Sequence, residues 1–219
     1  MTEHTAEPQS GGRARILKSA LSVFAEFGFA GASTREIARR ANVTQPAIAY
    51  FFANKEEMWK AAIERAFTDL AVALDAAVLA KGSVRQQRRQ FVAAFVRFAA
   101  NNPEWSMFNV HEGLQTSERS QWLSRNWLKP LARRLYEGLT GETWPPGAGQ
   151  DVFEAMSLVS LLAGGTLIFA EKMQVSEIAQ VDAASEAFIE HHTETLLTAL
   201  EALLRRGRLQ SDPGRADLG

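Results

Sequence analysis

The sequence predicts an all-α protein, with a small N-terminal three-helix domain built on a helix-turn-helix and a larger C-terminal helical bundle. Three observations carry that expectation. Apolar residues recur at helical spacing along most of the 219 residues, and no useful stretch alternates with period two, as a half-buried strand would. Helix start and stop residues crowd between Gly28 and Asn54, too densely for long bundle helices. Beyond Asn54 the breakers are widely spaced, and each separates two helical patterns.

The elements follow in order. Residues 1–10 are polar, lack the apolar region of a secretion signal, and read as a flexible tail. Leu17, Ala20, Leu21 and Phe24 give the first helix one apolar face, and Gly28 offers it a left-handed end. Ser33 and Glu36 form an S-x-x-E capping box for a short second helix that ends near Ala41. Asn42, which tolerates positive φ, makes the turn. Thr44 then caps a third helix with Pro46 in its first turn, where a missing N–H costs little. Asn54 and Glu57 start a fourth. Helices are expected at about 55–80, 84–101, 104–115, 118–139, 150–173 and 182–206, parted by Gly82-Ser83, Pro103, Thr116-Ser117, Gly141 and Pro145-Pro146-Gly147. The uncharged run from Ala155 to Ala170 falls short of the roughly 20 residues needed to span a bilayer and reads as a buried helix, so no membrane partner is expected. The chain turns polar from Gly207, which makes 208–219 a second tail. The expected domains are therefore 11–59 and 60–207.

Composition narrows the function classes. With 46% hydrophobic and 22% charged residues, the chain can build a core. It has no cysteine, which excludes disulfides, cysteine–metal sites and thiol nucleophiles and fits a reducing cytoplasm. The adjacent pairs His111-Glu112 and His191-His192 diverge by about 100° on a helix, whereas metal ligands share one face. No P-loop, G-x-G-x-x-G fingerprint or Ser/His/Asp order is present. Neither an enzyme nor a bound metal or cofactor is expected. Net charge is −1, but from Gly11 to Lys55 seven basic residues face two acidic ones, giving +5 and leaving −6 for the remainder. A basic head on an acidic body suits a polyanion bound at one end.

The segment Ser33–Phe51 meets the demands of two short helices crossing at a tight turn. Ile37, Ala41, Val43, Ile48 and Phe51 stand at offsets suited to the crossing, Ala38 is small where the backbones approach, and Asn42 serves the turn. Residues at the start of the second helix of such a motif reach base edges in the major groove. Thr44, Gln45, Pro46 and Ala47 occupy those positions. Gln45 suits a bidentate contact to adenine, and Pro46 and Ala47 suit a thymine methyl. Ser33 and Thr34, at a helix N-terminus, suit phosphate.

The run A-S-T-R-E-I-A-R-R-A-N-V-T-Q-P-A-I-A-Y-F-F-A-N-K-E-E-M, Ala32 to Met58, resembles the DNA-binding domain of the tetracycline-repressor (TetR) family, as does F-A-E-F-G-F, Phe24 to Phe29. The likeness covers about residues 13–59. It implies a homodimeric regulator that binds a double-stranded operator through this domain and a small effector through a divergent C-terminal bundle. Effector binding would then move the fourth helix and release a repressor. The resemblance also implies that Arg35 reads a base and that Lys55 holds a phosphate. Ala49 stands where the family usually has a phosphate-clamping tyrosine, and Tyr50, the next residue, is the available substitute. That departure keeps a second expectation open, a helical adaptor with impaired DNA binding.

In the C-terminal part, Trp105, Phe108, Trp122 and Trp127 are candidates to line an apolar or aromatic effector pocket, with Arg97, His111 and Glu112 as polar anchors. Gly164-Gly165 would admit a close backbone approach or a kink. Phe188, Leu196, Leu200 and Leu203 form an apolar stripe that serves either as core or as a dimer face.

Overall fold

Eleven α-helices and no strand occur among the described residues, which in this computed structural model are 9–78, 82–144 and 152–211. In chain order they are α1 (Gln9–Gly31), α2 (Thr34–Ala41), α3 (Gln45–Phe51), α4 (Lys55–Val78), α5 (Val84–Asn101), α6 (Pro103–Gly113), α7 (Glu118–Leu123), α8 (Lys129–Thr140), α9 (Val152–Gly165), α10 (Lys172–Ala179) and α11 (Glu186–Ser211). The all-α expectation holds. Helix α1 begins inside the segment expected to be a tail, and α11 runs four residues into the other one. The rest of both tails and the Pro145-Pro146-Gly147 break lie outside the described residues. The chain divides into two compact units. One holds residues up to Asp69 with Glu104–Thr116, and the other holds Leu70–Pro103 with Ser117 onward.

In the first unit, α1, α2, α3 and the start of α4 surround Ile16, Phe24, Ile37, Ile48, Phe52 and Met58, all 4% exposed or less. Phe29 stacks on Phe24 at 5.9 Å and meets Trp59 edge-on at 6.3 Å. Helix α6 completes this core, with Phe108 5.9 Å from Trp59 and Trp105 5.8 Å from Phe67. Gly28, expected to end the first helix, instead kinks α1, which runs on to Gly31, and at φ 65°, ψ 175° it lies outside the left-handed helical region. The His111 ring occupies the space where a side chain would stand, with Nε2 2.5 Å from the position of a Cβ.

In the second unit, α11 packs on α5 and α9, and α8 packs on the same two helices. Leu196 and Leu200 are buried, so the apolar stripe of α11 is mainly core. On the outer edge, Arg89 pairs with Glu194 (2.6 Å) and Arg85 with Glu201 (3.1 Å), which sets α5 and α11 antiparallel.

Two expected long helices are broken, each for a local reason. The 118–139 helix contains a π turn at Ser124–Leu128, just ahead of Pro130. Proline cannot donate to the carbonyl one turn back and its ring crowds that oxygen, so a wider turn relieves both faults. The 150–173 helix ends at Gly165, passes through a 3-10 turn at Thr166–Phe169, and restarts as α10. Here the Gly165 carbonyl accepts from His192 Nε2 at 2.8 Å, and Leu196 of α11 reaches to 2.5 Å from where a Cβ would be. Gly164 has nothing within 4 Å of that position. Gly165→Ala is therefore expected to lower stability by about 1–3 kcal/mol through overpacking. Gly164→Ala is expected to be neutral or stabilising by up to about 1 kcal/mol. Urea midpoints of the two variants check this pair.

The 155–170 run was expected to be buried, and it is not. The segment Val152–Phe169 has a mean hydropathy of 1.8 but is only 33% buried, and by length and composition alone it is apolar enough to cross a membrane. Its α-helical part, Val152–Gly165, rises only about 21 Å at 1.5 Å per residue, against the roughly 30 Å of a hydrocarbon core. Ala155, Leu158, Val159 and Leu162 face the core, while Val152, Phe153 and Met156 remain exposed.

Candidate nucleic-acid interface and ligand cavity

Helices α2 and α3 meet as the motif requires. Ile37, Ala38, Ala41 and Ile48 are buried at the crossing, and Val43 and Phe51 are half-buried. Asn42 adopts φ 51°, ψ 51°, and its N–H closes the end of α2 on the Ala38 and Arg39 carbonyls. Ser33 Oγ accepts from the Glu36 N–H at 3.1 Å, but the reciprocal half of the expected capping box is absent. The Glu36 carboxylate turns instead to Arg39 Nη2 and Arg40 Nε, both at 2.7 Å. Two guanidinium partners outcompete one backbone N–H, because charge-assisted hydrogen bonds are the stronger kind. Thr44 stands at the N-cap of α3 without a side-chain cap bond.

Bonding to Arg39, then Arg40, pulls the Glu36 pKa down from 4.5 to about 2. A carboxylate with a lowered folded pKa stabilises the fold above its unfolded pKa, and that stabilisation fades as pH falls through the folded value. The melting-temperature gap between the protein and Glu36→Gln is expected to be constant above about pH 5.5 and to shrink as pH drops from 4.5 toward 2. A gap unchanged from pH 6 to pH 3 would contradict it.

The ion pairs also locate the basic excess. Glu36 is taken up by Arg39 and Arg40, and Glu26 by Arg40 at 2.8 Å. The other basic residues of the segment are Arg13, Arg15 and Lys18 on α1, Arg35 on α2 and Lys55 on α4. Arg35 is exposed and has no ion-pair partner among the described residues. Thr44, Gln45, Pro46, Ala49 and Tyr50 are exposed on α3, Ala47 is half-buried, and Gln45 Nε2 lies 3.4 Å from Thr34 Oγ1. Thr34 and Gln45 are thus side by side, and the exposed Arg35 and Thr44 are their neighbours in the chain. Tyr50 is 72% exposed, with its ring edge-on to Phe51 at 5.1 Å.

Lys55 also makes contacts within its own domain. Its ammonium donates to the Ala32 carbonyl at 2.7 Å and lies 4.7 Å from the Phe29 ring centroid, so it ties the end of α1. Arg13 had no role in the sequence reading beyond its charge. Its guanidinium stands 5.4 Å from the Phe52 ring centroid, beside the end of α3.

The expected pocket residues divide between the two units. Trp105, Phe108 and Glu112 are buried in the first unit, with His111 against Gly28. Trp122 and Trp127 belong to the second unit, where Arg97 donates to the Glu186 carboxylate at 2.6 Å on the surface. None of the seven lines the cavity of about 570 Å³ in the second unit. That cavity lies between the end of α4 (Asp75, Val78), the start of α5 (Val84, Gln87, Arg88, Phe91) and α8 (Pro130, Arg134, Glu137–Leu139, with Gly141 beyond). Its volume is within the roughly 300–1,000 Å³ range of small-molecule sites. Gly138 allows the Phe91 ring to lie against α8, since a Cβ there would overlap the ring.

A model of the family described as bacterial regulatory proteins, tetR family, matches residues 16–62. The chain is 30% identical over 97 residues to the HTH-type transcriptional activator FasR of Mycolicibacterium smegmatis, and this match spans 44% of each protein. Among solved structures, a TetR-like transcriptional regulator from Rhodococcus sp. RHA1 superposes with a TM-score of 0.67 at 20% identity, covering 92% of this chain and 98% of the other. The fatty acid degradation regulator FadR from Bacillus halodurans gives 0.61 at 19% identity, covering 85% and 94%. At these identities the structural neighbours show a shared fold.

Proposed function

We propose, from the match of residues 16–62 to the tetR family of bacterial regulatory proteins, that the chain is a ligand-responsive, DNA-binding transcriptional regulator of that family. It acts in the cytoplasm as a homodimeric repressor on a palindromic operator and is released by a small apolar effector. Residues 11–59 bind DNA, and 60–207 take the effector and form the dimer. The observation that carries this reading is the contact of Gln45 with Thr34 across a helix-turn-helix, with Arg35 and Thr44 exposed next to them in the chain and the basic residues of the segment on α1, α2 and the start of α4. Arg35 and Gln45 read bases, Pro46 and Ala47 touch methyls, and Ser33, Thr34, Tyr50 and Lys55 serve phosphates.

The dimer reading draws support from two faces of helices that pack together. The exposed side of α9 carries Val152, Phe153, Met156 and Gly164, and α11 exposes the uncharged Ala187, His191, Thr195, Thr198 and Ala202. Two symmetric recognition helices would sit one helical turn apart, about 34–36 Å. The apolar effector draws support from the FadR neighbour, whose name assigns it to fatty acid degradation.

Gel shift of the purified protein on DNA upstream of its own coding sequence tests the core of the proposal. A complex that survives excess random duplex at physiological salt is the expected result, and its absence would refute the reading. A promoter fusion fixes the sign of regulation. Deletion is expected to raise transcription, whereas a fall would make the protein an activator, as the FasR relative is named.

A further inference from the structure

From the walls of the second unit's cavity we infer that it binds an apolar monoanion, a carboxylate on a hydrocarbon tail, a refinement that rests on the effector reading above. The floor and mouth are apolar. Phe91 and Leu139 are 2% exposed or less, while Val78 and Val84 are 56% and 64% exposed, leaving hydrocarbon at the opening for a ligand tail to cover. The charge is set into the wall. Arg88 is only 8% exposed, and its Nε donates to the Leu139 carbonyl, which fixes the guanidinium on the last turn of α8. A second cation, Arg134, pairs across the cavity with Asp75 of α4. Glu137, the other acid in the lining, is held by the Trp144 N–H at 3.1 Å and by Arg133 Nε at 3.3 Å.

Asp75 is thus an internal stand-in for a ligand carboxylate. Its side chain is 65% exposed against 31% for Arg134, so it turns outward into water at little cost while the cation stays in place. An incoming carboxylate takes the Arg134 position beside Arg88, and its tail lies along Phe91, Val78 and Val84. A neutral tail of the same length fills the apolar part without displacing Asp75.

Calorimetry on the full chain tests this with octanoate, decanoate and decanol. Decanoate is expected to bind at least tenfold more tightly than decanol and up to about fourfold more tightly per added methylene than octanoate. Asp75→Asn frees Arg134 and is expected to tighten decanoate several-fold, and Arg134→Gln to weaken it at least tenfold. Both positions are solvent-accessible, so the variants should fold, and a matching circular dichroism melt checks that they do. Equal binding of decanol and decanoate, no binding of either, or an affinity unmoved by both substitutions would each overturn the site. Gel shift of the ligand-free protein is scored separately. Intact operator binding without decanoate binding removes this site alone, and decanoate binding without operator binding upholds the site while removing the regulator reading.

Discussion

Gly28→Ala is expected to destabilise the protein by about 2–4 kcal/mol, from two sources that can be measured apart. The first is the backbone. At φ 65°, ψ 175°, Gly28 occupies a region open to glycine and essentially closed to residues with a Cβ, at a cost of about 1–3 kcal/mol. No neighbouring side chain can relieve that strain. The second is contact with His111, whose Nε2 would lie 2.5 Å from the new methyl group. The imidazole is the end of a mobile side chain and can swing aside, losing its place against α1. His111→Ala in the Gly28→Ala background should therefore recover the contact part and leave the backbone part. Urea denaturation of the two single variants and the double variant isolates the coupling, expected within about 0.5–3 kcal/mol. A coupling near zero would mean that His111 rests on Gly28 without mechanical consequence.

Gly28 also shows where sequence reasoning stops. Its role as a breaker was legible, because a glycine closing a helical pattern has a local meaning. Its conformation was not, because the residue that fills its vacant side-chain volume comes from α6, far along the chain. The same distinction runs through the fold. The Asn42 turn, the Ser33 cap and the Asn54 start, where Oδ1 accepts from the Glu57 N–H at 2.8 Å, are settled within four residues and were read correctly. Glu36 was half-read, since its position fits a capping box but Arg39 and Arg40 claim its carboxylate. The aromatic cluster shows the same limit. Trp105 and Phe108 of α6 meet Phe67 and Trp59 within the first unit, partners that lie far from them in sequence, while Trp122 and Trp127 belong to the second. The cavity had no local signature at all, because Asp75, Arg88 and Arg134 come from three helices and carry no shared motif.

The residues proposed to read DNA should separate by how their loss depends on sequence and salt. Arg35 is exposed on α2 without an ion-pair partner among the described residues, so nothing internal need be broken for it to reach a base. Arg35→Ala is expected to cost about 1–3 kcal/mol on the operator, roughly five- to 150-fold in affinity, with a smaller loss on random duplex. Gln45→Ala should relax preference at an adenine position, because the 3.4 Å contact to Thr34 is long enough to yield to a bidentate base contact. Arg13 predicts the opposite signature. Beside Phe52, at the end of α3, it is placed to meet the backbone, which is alike in every sequence. Arg13→Ala should weaken operator and random DNA by the same factor and reduce the slope of log affinity against log salt by about 1. Fluorescence anisotropy at several salt concentrations, on operator and scrambled duplexes, distinguishes the two patterns. Equal losses on both duplexes for Arg35→Ala would place it among the phosphate ligands. If none of the three variants changed binding, the exposed tip of α3 would have no part in reading DNA, and the adaptor reading would explain the exposed Ala49 and Tyr50 better.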